Sequence, residues 1–529
     1  MVTRETQIRP PHTPQRDIAA VADFLRSHAA TDVTTLARGV ETASPSLTGI
    51  SVDSRLVLPG DVWIATQGMT HHGAQHWQQA LDNGCAVVVT DSIGLEILQR
   101  MSVPVPVISV PEPVGRGWIG HLCAWFYGTP ATSLRTVAVT GTNGKTSMTH
   151  FLVAAWSALR PEPVACIGTL GVRVYADGQM HDTSTGFTTP EAPVFHACLE
   201  FLRQGGVREV AMEVSSHALS LGRVDGFTAD LAMFTNLSHD HLDFHGTMED
   251  YFEAKALLFT EQHSKQCLVC VDEPWGQRLA ARLREQARPL VTYGATESDV
   301  QLVAFGDGKC TVRHSGGTTE FSFSGPGEFN AVNATGAFAA LLMQGVSAED
   351  AAQAMSAVSQ VPGRMEVVSG LDEPLTVVDY AHSPDSIERV LQALKVRTVG
   401  KLIAVLGAGG DRDAAKRPMM GAAALRAGAD VLVITDDNPR SEDPAVIRAA
   451  VRSDVDAVLR SGIADIEIIE IGDRASAIDY AIRAANVGDT VAVLGKGAET
   501  GQQVGDILTP FDDREETRRA LQNLRGSSL

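Results

Sequence analysis

Hydrophobic and polar positions divide this chain into stretches with different rhythms. The first fifteen residues are polar and proline-rich, with Pro10, Pro11 and Pro14, and are expected to form a disordered tail. From about 16 to 132, short apolar runs are separated by turn residues. Ile50 to Ala65 reads as strand, polar turn, Pro-Gly turn and strand, and a helix over His76 to Asn83 and a strand over Ala86 to Thr90 follow. A second unit, 133 to 363, alternates buried strands (Val137–Thr140, Glu209–Val214, Ala229–Thr235) with helical patterns, which predicts a parallel sheet. Within it, 298 to 324 changes to short alternating runs with a Gly-Gly turn, expected to be an antiparallel appendage. The third unit, 364 to 529, has the cleanest alternation. Strands at 375–379, 402–406, 431–435, 465–471 and 490–494 are separated by amphipathic helical runs, the pattern of a doubly wound, Rossmann-type sheet.

Composition narrows the class. A chain of 529 residues is too long for one core, and its 44% hydrophobic content suits an α/β protein. A formal net charge of −20 argues against nucleic acid or an anionic membrane as partner. No run approaches the roughly 18 apolar residues of a spanning helix, and no basic segment with an apolar stretch marks a signal peptide, so a cytoplasmic protein without membrane insertion is expected. Seven scattered cysteines suit reduced thiols, and Cys267-Leu-Val-Cys270 lies inside an apolar run that favours buried strand thiols over a metal site.

The stretch richest in chemistry is Arg135 to Ser147. An apolar strand breaks into Gly141-Thr142-Asn143-Gly144-Lys145-Thr146-Ser147 and resumes as a helix from Met148 to Leu159. A glycine-rich turn between strand and helix aims backbone N–H groups and a helix N-terminus at a phosphate. Two residues, rather than four, separate the glycines, and Val139 stands where the general P-loop pattern has its first glycine. Lys145 is expected at the β/γ-phosphates and Thr146 on Mg²⁺.

Other polar residues fall at predicted strand ends. Glu213 and His241 there, beside the phosphate loop, are candidate Mg²⁺ ligands, although His241 also reads as a structural histidine in a His-rich turn. Lys255 reads equally as a surface lysine on a helix. If its amine is neutral it can add CO₂ and become a carbamate, a metal ligand of opposite charge. Asp53-Ser54-Arg55 reads as a capping turn. In the third unit Arg412, Asn438 and Arg440 offer planar donors for a carboxylate, and Glu499 a partner for an ammonium group. Together they describe a zwitterion site, or ordinary salt bridges. Gly407-Ala-Gly409-Gly410 imitates a dinucleotide fingerprint, but Arg412 replaces its third glycine, so NAD is not expected.

The ordered set of these motifs resembles the Mur ligase superfamily. It comprises Asp53-Ser-Arg55, Thr-Gly-Thr-Asn-Gly-Lys-Thr-Ser147, Thr188-Thr189-Pro190, Glu213-Val-Ser215-Ser-His, His241-Leu-Asp-Phe-His-Gly, Lys255, Pro362-Gly-Arg364-Met-Glu, Asp379-Tyr-Ala-His382, Gly410-Asp-Arg412-Asp and Asp437-Asn438-Pro439-Arg440. The resemblance implies an α/β, three-domain architecture: a UDP-sugar-binding domain (16–132), a central P-loop ATPase with a parallel sheet (133–363) and a C-terminal Rossmann-like domain (364–529). It implies an ATP-dependent amide ligase acting through an acyl phosphate, with ATP and Mg²⁺ as cofactors and a carboxylated Lys255. Lys145, Glu213, His241 and Lys255 would be catalytic; Thr146 and Glu213 would hold one Mg²⁺, and Glu213, His241 and Lys255 a second. Asn330, Arg364 and His382 would contact ATP. Val52, Ser54, Thr188, Thr189, Ser215 and Arg223 would bind UDP-MurNAc-L-Ala-D-Glu. Asp437, Asn438, Pro439 and Arg440, with Arg412, Gly495 and Glu499, favour meso-diaminopimelate over L-lysine, because its second carboxylate gives the arginines a partner. A monomer that closes on its ligands is expected.

Two departures stand out: Ala498 where the family usually has histidine, and Leu221 where a glutamine often helps hold the sugar-peptide. The rival readings are a lysine-adding ligase or a folylpolyglutamate synthase of the same superfamily, and a noncatalytic nucleotide-binding protein on this scaffold. Asp437 to Arg440 speaks against the first, the long N-terminal unit against the second, and intact Lys145, Glu213, His241 and Lys255 against the third.

Overall fold

The computed structural model describes residues 8–29, 34–36, 46–68, 71–110, 117–176, 178–183, 186–460 and 466–527. Three α/β layers follow one another along the chain. The first is a five-stranded sheet in which Gly49–Ser51, Asp61–Ala65, Val87–Thr90 and Val107–Ser109 run parallel, with Thr34–Leu36 antiparallel at one edge. Between Gly49–Ser51 and Asp61–Ala65 the chain makes a short 3-10 turn, Ser54–Leu56, capped by Asp53, whose carboxylate accepts from the Arg55 backbone N–H.

The central sheet has eleven strands. It is parallel from Val164–Gly168 through Glu209–Glu213, Arg135–Thr140, Ala229–Phe234, Ser264–Cys270 and Leu290–Gly294 to Val300–Gly306. Antiparallel strands extend it at both edges. The expected appendage over 298–324 is therefore a continuation of this sheet. Arg135–Thr140 lies between Glu209–Glu213 and Ala229–Phe234, so three strand ends meet beside the loop that follows it. Val137, Val139, Met148, Leu152 and Trp156 are buried here together with the alanine-rich helix Glu328–Met343. Cys267 and Cys270 are buried free thiols of a strand, as their apolar setting predicts.

The last sheet orders its strands Glu366–Val367, Leu375–Asp379, Thr490–Leu494, Leu402–Leu406, Val431–Ile434 and Glu467–Glu470, parallel except for the first. The last parallel strand in the chain, Thr490–Leu494, inserts between the first two, and the loops after Asp379, Leu406 and Leu494 therefore face one crevice. Asp436 is paired with Arg448 there rather than free for a ribose.

The expected tail needs correction. Residues 1–7 lie outside the described residues, but 8–15 are anchored to the rest of the protein, with Ile8 and Pro10 buried and Pro11, His12 and Gln15 exposed. Ile8 joins the hydrophobic cluster of the central sheet, Arg9 donates to Asp61 at 2.6 Å, and the His12 N–H donates to Gln204 at 3.1 Å. Asp61 is 1% exposed, so its carboxylate requires a cation, and Arg9 supplies it. Among the described residues, no helix is long and apolar enough to cross a membrane.

Candidate functional site

The phosphate loop is rigid for identifiable reasons. Gly144 has φ 86°, and a Cβ on it would lie 2.9 Å from Asn333. A Cβ on Gly141 would come within 1.8 Å of the Thr235 hydroxyl, which itself donates to Asn143 O at 2.6 Å. Asn236 Oδ1 accepts from the Asn143 N–H at 2.9 Å. Helix Lys145–Leu159 then starts with its N-terminus at the loop.

That loop lines a cavity of about 270 Å³ together with Glu213, Asp240, His241, Asn330, Arg364, Tyr380 and His382. The sequence-predicted nucleotide residues are thus brought to one place. Lys145 Nζ donates to Gly141 O at 2.8 Å and Thr142 O at 2.9 Å. Burial lowers its pKa, opposed by the charge of Glu213. Arg364 lies over the Tyr380 ring at 4.2 Å and donates to the Thr146 hydroxyl at 3.0 Å, so a residue of the exit linker touches the first turn of the phosphate-loop helix. Asn330 donates to Pro326 O, and His382 Nδ1 bonds Tyr380 O at 2.8 Å.

Glu213 ends its strand only 1% exposed, accepting from the Thr169 N–H at 2.9 Å and the Thr169 hydroxyl at 3.1 Å. His241 has φ 55°, a left-handed conformation unusual for a non-glycine residue, which turns the chain into the short helix Leu242–His245. Enclosure lowers its pKa against the opposing Asp240 charge, with His217, Lys145 and Lys255 adding to the fall. The neutral ring keeps a lone pair for a cation. Lys255 is no surface lysine. It is 1% exposed, sits 4.6 Å over the Tyr251 ring, and donates to Gly141 O at 2.8 Å. Burial, reinforced by Lys145, drives its pKa well down, which favours the neutral amine.

Several residues here escaped the sequence reading. Asp240 is 4% exposed and holds three cationic or ring groups within 4 Å: Lys416 at 3.3 Å, His241 at 3.6 Å and His382 at 3.9 Å. Asn143 donates to Asp385 at 3.3 Å, and Arg389 bridges Asp385 and Glu273. The two later sheets are therefore joined across the cavity by polar contacts. Asp240 stood within the His239-Asp-His241 run; nothing local marked it.

A second cavity, about 530 Å³, opens between the first and central sheets. Val52, Ser54, Phe187, Leu221 and Arg223 line it. Ser54 donates to Gln79 at 2.9 Å; Arg223 donates to Thr189 O and pairs with Glu191 at 2.7 Å. Thr189 follows Thr188, which lines the first cavity, and precedes Pro190, which lines the second; it donates to Glu213 O at 2.9 Å and accepts from the Ser215 N–H at 3.0 Å. Thr188 meets Thr169, and through it Glu213, at 3.1 Å.

In the C-terminal sheet, Arg412 and Arg440 both approach Gly409, where a Cβ would lie 3.8 and 3.2 Å from them. Arg440 has φ 53° and donates to Gly410 O at 2.5 Å. Asp437 lies against Gly495, and Pro439 against Gly410. Glu499 was expected to wait for a ligand's ammonium group. It is already bonded to Asn438 Nδ2 at 3.0 Å and to Lys496 Nζ at 3.0 Å, and Lys496 also donates to Asn438 Oδ1. The fully buried Lys496 needs this pairing, so Glu499 shares its charge. Lys496 stands in a strand-end loop but had no role assigned to it from sequence, and the hairpin Gly501–Pro510, whose Gln503 backbone bonds both Asn438 and Arg440, was not expected.

Known proteins resemble this chain in sequence and in fold. Family models match residues 46–117 (Mur ligase family, catalytic domain), 139–341 (Mur ligase middle domain) and 363–497 (Mur ligase, glutamate ligase domain). A UDP-N-acetylmuramoyl-L-alanyl-D-glutamate–2,6-diaminopimelate ligase of Streptomyces coelicolor is 41% identical over 493 residues, covering 91% of this chain and 94% of its own. The Corynebacterium glutamicum protein of that name is 42% identical over 487 residues, covering 90% and 92%. A solved structure of a ligase of that name superposes with a TM-score of 0.63 at 29% identity, covering 97% of this chain and 100% of its own. The fold is shared with MurF of Thermotoga maritima in complex with ADP, with a TM-score of 0.57, 16% identity, and coverage of 91% and 98%.

Proposed function

The chain belongs to the Mur ligase family, and on that premise we propose that it joins meso-diaminopimelate to UDP-MurNAc-L-Ala-D-Glu at the expense of ATP, a step of peptidoglycan precursor synthesis. The observation that carries this reading is the meeting of Lys145, Glu213, His241, Arg364 and His382 in one phosphate-loop cavity, in a chain about 41% identical to ligases of that name across nearly its whole length. The long first unit and the cavity beside Arg223 favour this over a folate-type substrate.

A carboxylate is a poor electrophile, so the D-glutamyl side chain is first phosphorylated by ATP. The diaminopimelate amine then attacks the acyl phosphate, and the tetrahedral intermediate expels phosphate to leave an amide. The protein's part is placement and charge neutralisation. Lys145 leaves the carbonyls of Gly141 and Thr142 to bind the β/γ-phosphates, whose approach the loop N–H groups direct. Asn330, Arg364 and His382 hold ATP from the junction with the C-terminal sheet. Val52, Ser54, Thr188, Thr189, Ser215 and Arg223 orient the sugar-peptide. Arg412, Asp437, Asn438, Pro439, Arg440, Gly495 and Glu499 receive diaminopimelate, with Lys496 holding Glu499 in place.

The residues present fit Mg²⁺. Thr146 and Glu213 both line the phosphate-loop cavity with oxygen donors, the ligand type that Mg²⁺ takes alongside phosphates and water. Thr146 and Glu213 would hold one Mg²⁺, and Glu213, His241 and a carboxylated Lys255 a second, and the ions would neutralise phosphoryl charge when bound. The buried, neutral-leaning amine of Lys255 supports the carbamate. Buried free thiols are consistent with a reducing cytoplasm, and the protein is proposed to work there as a monomer.

Substrate labelled with ¹⁸O in the D-glutamyl carboxylate tests the chemistry. Transfer of one label to inorganic phosphate, with one molecule of tripeptide product per phosphate, is expected. Product formed without label in phosphate would contradict the acyl phosphate.

A further inference from the structure

Lys416 is placed where helix electrostatics oppose it. It opens the helix Lys416–Arg426, so its charge stands against the positive end of the dipole, and among the described residues no side chain caps that end. Its neighbour Arg417 is accounted for within the same sheet's loops, through Glu442 at 2.8 and 2.7 Å and Gly409 O at 3.1 Å. Lys416 instead crosses to the central sheet. Among the described residues its ion pair is with Asp240, at 3.3 Å, with side-chain exposures of 12% and 6%. That is longer than the 2.7–2.9 Å of a tight charge-assisted bond. Asp240 is also shared with the His241 N–H at 3.0 Å and faces both His241 and His382. An ammonium group has three donors, so this one, paired with a carboxylate that itself lines the phosphate cavity, has capacity to spare.

We propose that Lys416 binds the phosphoryl group as it passes from ATP to the substrate carboxylate, and that Asp240 is the positioning residue that holds the ammonium ready. In this step a carboxylate oxygen forms a bond to the γ-phosphorus while the bond from that phosphorus to the β,γ-bridging oxygen breaks, and the electron pair leaves with ADP. No proton moves; Lys416 keeps all of its hydrogens and offers two of them to the equatorial oxygens. Because Lys416 comes from the C-terminal sheet and the phosphate loop from the central one, transfer would require both to be in place. The inference rests on the ligase reading and adds to it a residue that reading does not contain.

The native cysteines are all buried whereas position 416 is half-buried, so a thiol introduced there is the more accessible to alkylation, with modification at a single site checked by mass. Lys416→Cys is expected to lower kcat about 100-fold, the size of effect seen when one donor to developing charge is lost, while the Kd for ADP and the melting temperature stay near the parent's. Aminoethylation of the introduced thiol returns a cation of nearly lysine length and is expected to recover at least about tenfold of the loss. Lys416→Arg, should the cysteine variant fold poorly, is expected to retain more than about a tenth of parental kcat for the same reason. Asp240→Asn is expected to lower kcat by a smaller factor with ADP affinity retained. A Lys416→Cys enzyme with parental kcat, a loss that aminoethylation does not relieve, or a parallel loss of ADP affinity would each overturn the inference. Absence of turnover in the parent would overturn the ligase reading and this inference with it.

Discussion

The phosphate cavity and the amino-acid loops solve opposite problems. Around the phosphate loop, function-bearing side chains are enclosed and already tied down: Glu213 by Thr169, Lys255 by Gly141, Asp240 by its three neighbours. At the amino-acid loops Arg412 is exposed and Arg440 half-buried, while Asn438, Lys496 and Glu499 form a closed triangle beneath them. Charge that develops during a reaction is stabilised best by dipoles that need not reorganise. A substrate that must enter and be discriminated needs donors left free for it. On the proposed function, the difference puts rate in the buried site and selectivity in the exposed one.

The hardest blow to the buried site is Lys255→Ala. It is expected to reduce turnover about 1000-fold, with partial rescue by short carboxylates that fill the space of the carbamate; full activity in the untreated variant would remove Lys255 from the chemistry.

A second attack on the same region is through pH. His150 accepts from Arg173 at Nε2, so its Nδ1–H donates to Thr146 O at 2.8 Å, and burial, assisted by Arg173, pushes its pKa down to about 4. The unfolded chain, with an ordinary histidine near 6.5, binds the extra proton between those values. Its contribution to stability is thus complete above about pH 6.5 and is lost as pH falls toward 4, by up to about 3 kcal/mol. Chemical denaturation across that range should show the parent losing more stability than His150→Gln; identical slopes would contradict the assignment.

At the exposed site, Arg440→Lys keeps the charge and loses the fork. A rise of about 30-fold in the KM for diaminopimelate is expected, the scale of one charge-assisted bond, with the KM for ATP unchanged. Equal changes in both would blur the division between the two regions.

The sequence made the buried site legible because its chemistry is local. Gly141 to Ser147 carries its own strand, turn and helix start, and Glu213 sits at a strand end that the apolar run predicts. The strands of the C-terminal sheet were legible for the same reason: alternation registers in every segment. What depended on distant partners was not. Arg9 belongs to Asp61 and not to a tail, Lys496 neutralises Glu499, and Lys416 reaches Asp240 across two sheets. The left-handed backbone of His241, at a residue that is not glycine, had no signature in the sequence. Lys416 did leave a trace, since a lysine and an arginine in the first turn of a helix oppose its dipole.

The most direct test of the whole account is the ratio of kcat/KM for meso-diaminopimelate to that for L-lysine, measured with ATP, Mg²⁺ and UDP-MurNAc-L-Ala-D-Glu. Donors left unpaired by lysine should make that ratio at least about 1000. Comparable turnover of the two amino acids would contradict the selectivity assigned to Arg412 and Arg440, and turnover of neither would contradict the ligase itself.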